Sequence, residues 1–294
     1  MKHRFDTFIA IDWSGARGLR LKNIKAAVCE PGESVPTLVH PPSCKNWRRD
    51  EVVHRVVEEA RKRRILAGFD FAFAYPYCDH NAYFPGHMSS PESARALWQI
   101  IDVICQAEGN FYGGPFYNTQ SALFSRYLCY QTYRGLYFDN KRLRTTEMVC
   151  RRAGALPTCP FKLVGADQVG AGSVAGMRVL HFLATNYRPL LNIWPFSDLE
   201  AGKSTVVEIF PRLYFIMTGN DPRQWNDVRV VNAALKEFDT KPLPRGYVIE
   251  SEDEADAIVS AAALRSLSTR DEVWCSQSLH DNVRRYEGWI FGIN

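Results

Sequence analysis

The stretch that most constrains this chain is Phe8-Ile9-Ala10-Ile11-Asp12-Trp13-Ser14-Gly15, where an apolar run enters an aspartate and the chain then turns. A short continuous apolar run bounded by a turn is the mark of a buried central strand. Its period of two places Phe8, Ala10 and Asp12 on one face, and Ile9, Ile11 and Trp13 on the other. A carboxylate at the end of such a strand is costly unless its charge is compensated. Asp12 therefore either caps the following turn or acts as a metal ligand or catalytic carboxylate. The second reading requires other carboxylates aimed at the same place.

Three further stretches supply them. Ile65 to Ala74 is an apolar run with Asp70 inside it, and Leu66, Gly68, Asp70 and Ala72 share a face. Val206 to Phe210 is another, with Glu208 in its middle. Near the end, Ser251 and Glu254 have capping-box spacing, so a helix is expected to start there. Asp253 and Asp256 then lie three apart on one helical face near the N-terminus. Ser260 and Ala263 continue that face with small residues, which let a helix lie close to a sheet. Two charges about 4 Å apart repel by roughly 4 kcal/mol at an effective dielectric near 20. A converging cluster must therefore hold protons or a cation. Oxygen donors without His or Cys suit Mg²⁺ or Mn²⁺. A pair of such ions activates water and stabilises the leaving oxygen in phosphodiester hydrolysis.

Composition narrows the class without deciding the partner. A net charge of +4 and a pI near 8.6 permit a nucleic-acid or other phosphoester substrate but do not argue for one. The eight cysteines are scattered without C-x-x-C spacing, which implies reduced thiols in a cytoplasmic protein. The N-terminal apolar run, interrupted by Asp12, is too short for a signal peptide. No stretch is long enough to span a membrane. The oligomeric state is left open.

Between the acidic stretches the chain reads as alternating elements. Ile24 to Cys29 and Thr37 to His40 are two strands around the Pro31-Gly32 turn, and with the first strand they form an antiparallel meander. A helix capped by Asp50 buries Val52, Val53, Val56, Val57 and Ala60. Its closing run, Arg61 to Arg64, is read as cations complementing the helix C-terminus. A second helix begins at Ser90-Pro91 with Ala94, Leu97, Trp98, Ile101 and Ile104 inward. Residues 119 to 160 mix aromatic and basic side chains, as single-stranded nucleic acid requires and as an ordinary solvated helical cap also shows. Leu190 to Ile193 is expected to be a strand beside that of Glu208. A helix opening at Asp221-Pro222 carries Trp225, Val228, Val231, Leu235 and Phe238.

Two glycine-rich stretches imitate phosphate loops. Gly170-x-Gly172-x-x-Ala175-Gly176 is off register for a dinucleotide fingerprint. Gly202-Lys203-Ser204 has Ser197 where a Walker loop requires glycine. The stretch Val169 to Ser173 nevertheless precedes a helix expected over Val174 to Leu183, and free N–H groups at a helix start hold phosphate.

The order of elements resembles that of the RNase-H-like fold, closest to its RuvC-type resolvase branch, which ends in a D-x-x-D-A helix. Within that fold the chain is similar to a family of predicted nucleases (domain of unknown function 429). The stretches that carry the resemblance are Ile11 to Gly15, Gly68 to Asp70, Val164 to Ser173, Ile193 to Phe196, Val207 to Arg212 and Asp253 to Ala257. The resemblance implies one α/β domain over 1–294: a mixed five-stranded sheet flanked by helices, with a long, mostly helical insertion over 76–190. It implies that Asp12, Asp70, Asp253 and Asp256 bind Mg²⁺ or Mn²⁺. Glu208 joins them as a catalytic candidate, although it has no firm counterpart in the resolvases. Lys162, Gly170, Gly172, Ser173 and Arg212 are the candidates for contacting substrate phosphate. The insertion between the Asp70 and Glu208 strands departs from the resolvase pattern and either shapes the substrate groove or blocks it.

A metal-dependent nuclease or phosphodiesterase is the reading these residues favour. An actin-like kinase also begins with a strand aspartate and glycine turn, as in Asp12-x-x-Gly15, but its second phosphate loop is missing: no D-x-G follows residue 150. A non-catalytic binding protein of the same fold would keep the acidic residues for structure alone.

Overall fold

The computed structural model describes residues 4–42, 44–118, 122–163 and 169–294. The first strand is β1 (Thr7–Asp12), followed by β2 (Lys25–Cys29), β3 (Thr37–Val39), α1 (Arg49–Lys62) and β4 (Ile65–Phe69). The middle of the chain carries α2 (Ala94–Ile104), a hairpin of β5 (Cys129–Tyr130) and β6 (Tyr133–Arg134), α3 (Thr145–Arg152) and α4 (Gly170–Asn186). Then come β7 (Leu191–Ile193), β8 (Ser204–Glu208), α5 (Pro211–Met217), α6 (Val228–Glu237), α7 (Glu252–Leu267) and the short α8 (Asp271–Trp274).

The main sheet is mixed, in the order β3-β2-β1-β4-β8-β7. The first three strands form an antiparallel meander, and β1, β4, β8 and β7 run parallel. The sheet has six strands, one more than the five the resemblance implies; the strand expected at Leu190 to Ile193 forms over Leu191–Ile193 and pairs with the far edge of β8.

The two faces of β1 separate as the alternation requires. Ile9, Ile11 and Trp13 join one core with Val53 of α1, Trp98 of α2 and Val174 of α4. Phe8 and Ala10 join the other with Leu66, Val207 and the alanines of α7. Helix α7 lies close to the sheet because Gly68 leaves room for it: a β-carbon there would stand 2.5 Å from Ile209 Cγ2 and 3.0 Å from Leu264 Cδ1.

Several boundaries differ from the sequence reading. β4 stops at Phe69, and Glu208 ends β8 rather than occupying its middle. Both follow from the end of the ladder: Asp70 N–H donates to Ile11 O and Ile209 N–H to Phe69 O, after which the chain bends. The bend drives Phe71 and Phe73 into the first core. Helix α1 starts one residue before Asp50, which binds Arg48 instead of capping. Helix α2 starts at Ala94, because Ser93 Oγ accepts from Ala96 N–H. The helix expected from Asp221 splits into a short turn over Pro222–Gln224 and α6, the latter capped by Asp227. The glycines before Val174 are the first turn of α4 itself.

The segment 76–190 is less than half helical among the described residues. It does not form a separate body, since Tyr83, Phe84, Trp98 and Phe161 belong to the same apolar core as the sheet. The quoted stretch from Val164 to Gln168 lies outside the described residues.

Candidate functional site

Strand geometry brings the acidic residues together. β1, β4 and β8 run parallel, so Asp12 at the end of β1, Asp70 just after β4 and Glu208 at the end of β8 emerge at the same edge of the sheet. Crevices outside the carboxyl ends of parallel strands are where open α/β sheets bind ligands. Helix α7 enters from the other side. Ser251 Oγ accepts from Glu254 N–H at 3.2 Å, which fixes its first turn. The reciprocal half of the capping box is not made: Glu254 instead accepts from Tyr247 Oη at 2.6 Å and from Glu250 N–H. Asp253 and Asp256 then face the strand ends.

The result is a cleft of about 680 Å³ lined by Asp12, Asp70, Asp253 and Asp256, with Glu208 and Arg212 also on its wall. Asp12 is 7% exposed and Asp256 8%. Neither carboxylate has a hydrogen-bond or ion-pair partner among the described residues, and both open onto the cleft. Burial first, and then Asp70, Asp256 and Asp253, push the Asp12 carboxyl well above the ordinary carboxylate range. Burial and then Asp70 do the same to Asp256, with Arg212 opposing. Burial and then Glu208 raise Asp70 to about 7, again against the pull of Arg212. Asp253 is raised less, because Lys25 and a 3.3 Å hydrogen bond from Asn23 offset its burial. Among the described residues no three His, Cys, Asp or Glu side chains close into a ready metal cage.

Glu208 reaches the cleft wall with its carboxylate already paired. Its carboxylate is engaged by Arg144, whose guanidinium reaches Oε1 at 2.5 Å and Oε2 at 2.8 Å, and it also accepts from Phe73 N–H at 2.9 Å. The same guanidinium binds Glu147 at 3.0 Å and the carbonyl of Glu287. Arg144 is 1% exposed. One buried cation thus faces two buried carboxylates, and burial leaves Glu147 raised to about 7. At the cleft wall Glu208 is thus ion-paired with Arg144.

The phosphate candidates divide. Gly172 and Arg212 line the cleft, and Arg212 also meets Glu252 at 3.3 Å. Lys162, Gly170 and Ser173 do not line it. A β-carbon on Gly170 would stand 2.5 Å from Lys162 O, so this glycine allows the chain to pack there. Ser173 is fully buried and satisfies Ala72 N–H and Val169 O, each at 3.0 Å.

Sequence reasoning missed Glu252, Arg144, Glu147 and Arg49. Glu252 lies between Ser251 and Asp253, in the first turn of α7, so its signal was present. Arg49 is fully buried beneath the turn that follows Asp12. It donates to Ser14 O at 2.7 Å, to Ala16 O and to Asn110 O, and so ties that turn to the middle segment. Val52 and Val53 beside it disclosed a helix but nothing of these partners.

Comparisons of the chain with family models, with curated proteins and with solved structures find no match. Among the described residues, no helix is long and apolar enough to cross a membrane.

Proposed function

We propose that this chain is a metal-dependent phosphodiesterase acting as a nuclease, built on an RNase-H-like frame. The observation that carries the reading is the pair Asp12 and Asp256, two carboxylates more than nine-tenths buried, unpartnered among the described residues and open to one cleft. An unpartnered buried carboxylate is unfavourable by several kcal/mol unless it is protonated or meets a cation. The donor set is oxygen alone, which fits Mg²⁺ or Mn²⁺. Asp12, Asp70, Asp253 and Asp256 would hold the ion, and Glu208 would not. When bound, such an ion lowers the pKa of a coordinated water and neutralises charge on a phosphodiester. Arg212 stands at the same cleft and draws the proton affinity of Asp70 and Asp256 downward.

The frame supports the same reading. An antiparallel meander, a helix and a parallel strand ending next to Asp70 precede a late helix bearing Asp253-x-x-Asp256-Ala257. That is the order on which the resemblance to RNase-H-like nucleases rests.

The test is calorimetric titration of Mn²⁺ into the protein and into an Asp12→Asn/Asp70→Asn variant, followed by oligonucleotide hydrolysis with and without Mn²⁺. Saturable binding lost in the variant, together with Mn²⁺-dependent cleavage, is the expected result. Cleavage that survives in the variant would place the site elsewhere. Binding without turnover of any phosphodiester would favour a non-catalytic binding protein.

A further inference from the structure

We infer that the cleft takes its substrate as an unpaired nucleotide, with the base held against tyrosines of the middle segment; this rests on the phosphodiesterase reading above. The carboxylates occupy only part of the cleft. Tyr112, Tyr117 and Tyr130 line it as well, and Trp13 and Phe71 extend the aromatic surface from the sheet side. The three tyrosines come from the segment between β4 and β7, which the carboxylate frame does not require.

Their rings are held in place. The carbonyl of Tyr112 accepts from Arg178 at 2.8 Å, and its ring fills the space over Gly114, where a β-carbon would stand 2.4 Å from Tyr112 Cε1. Tyr117 is buried and backs Tyr130, with ring centroids 5.2 Å apart at 49°. Tyr112 and Tyr130 keep part of their surface open. Fixed aromatic rings beside a phosphate-directed site suit base stacking, which tolerates any sequence because every base has a π-face. A paired base in a duplex has both faces occupied, and such a wall can read it only after it is unstacked. A cleft of about 680 Å³ is also the size of a small-ligand pocket and not of a groove that follows a helix. Arg17, exposed at the rim, is placed to meet the backbone of an entering strand.

The experiment is fluorescence anisotropy with Ca²⁺ in place of Mn²⁺, on three fluorescein-labelled probes of equal length. These are an oligothymidylate, the same strand annealed to its complement, and a tetrahydrofuran abasic oligomer with the same phosphates and no bases. The oligothymidylate is expected to bind at least tenfold tighter than either of the others. Tyr130→Ala should bring that affinity down to the level of the abasic oligomer, roughly a tenfold loss or more, whereas Tyr130→Phe should retain it. Equal affinity for the duplex, equal affinity for the abasic oligomer, or no binding of any probe would each overturn the inference. The two readings fail separately. Cleavage of single and double strands alike, with Mn²⁺, would keep the phosphodiesterase and remove the stacking wall. Selective binding of the unpaired strand without cleavage would do the reverse.

Discussion

Gly15 and Ala171 meet backbone to backbone: a β-carbon on Gly15 would lie 2.1 Å from the carbonyl carbon of Ala171 and 2.3 Å from Gly172 N. Trp13 Nε1 donates to Gly172 O at 3.2 Å beside that contact. The turn leaving Asp12 is therefore seated on the first turn of α4, and glycine is required for close approach, not for an unusual backbone angle. Gly15→Ala is expected to push the two elements apart at a cost of about 1–3 kcal/mol and to weaken Mn²⁺ binding by moving Asp12. Gly109→Ala, with nothing within 4 Å of its β-carbon, is the control and should lose neither. Thermal denaturation and calorimetry of the two variants decide this.

Asp70 provides a pH test. Its folded carboxyl is raised to about 7 by burial and Glu208, whereas in the unfolded chain it titrates near 3.9. Between about pH 4 and pH 7 the folded state therefore holds a proton that the unfolded state has released, and stability falls as pH rises through that window. Asp70→Asn removes the penalty. Without divalent metal, the variant should be more stable than the wild type at pH 8, by up to about 4 kcal/mol, and equal to it at pH 4. Millimolar Mn²⁺ should reverse the order at pH 8, since only the wild type gains from binding. Urea denaturation at the two pH values, with and without the metal, measures all three comparisons.

Arg144 is the only cation bonded to both Glu147 and Glu208 among the described residues. Arg144→Met leaves both carboxylates buried without it, and the expected loss is about 3–5 kcal/mol. Arg144→Lys should recover only part, because an ammonium cannot make the two parallel bonds that hold Glu208. Adding Glu208→Gln to Arg144→Met should restore part of the stability by removing one of the two stranded charges, with Glu147 still unpaired. Chemical denaturation of the single and double variants gives the coupling directly. If Glu208 instead served the reaction, Glu208→Gln alone would abolish turnover while leaving the fold at wild-type stability.

The parts of the site that sequence disclosed are those set by local periodicity. Alternation along Phe8 to Trp13 placed Asp12 on the α7 face, and Ser251 marked the helix that aims Asp253 and Asp256. The parts it hid depend on partners distant in the chain. Arg144 meets Glu208 across 64 positions, and nothing local to Glu208 shows that its charge is already matched. The same holds for Arg49, whose partners include Asn110. The glycines at 170 and 172 suggested a phosphate loop because a close-packed helix start and an anion cradle call for the same residue. Only the neighbours separate the two: a β-carbon on Gly170 would stand 2.5 Å from Lys162 O, whereas one on Gly172 would meet nothing closer than 3.8 Å, and Gly172 lines the cleft.

Ser173 tests that separation. Its hydroxyl accepts from Ala72 N–H, two residues beyond Asp70, and donates to Val169 O, both at 3.0 Å in a fully buried position. It thus anchors the bend that carries the chain away from Asp70 and contacts no open part of the cleft. Ser173→Ala leaves the buried Ala72 N–H without its acceptor, a loss of about 1–3 kcal/mol, and should lower the thermal midpoint accordingly. Well below that midpoint, Mn²⁺ affinity should stay within about twofold of the wild type, because no carboxylate has lost a partner. Oligonucleotide affinity should behave the same way. A fully folded Ser173→Ala protein that no longer bound the oligonucleotide would return Ser173 to the substrate site and displace the structural role argued from its two hydrogen bonds.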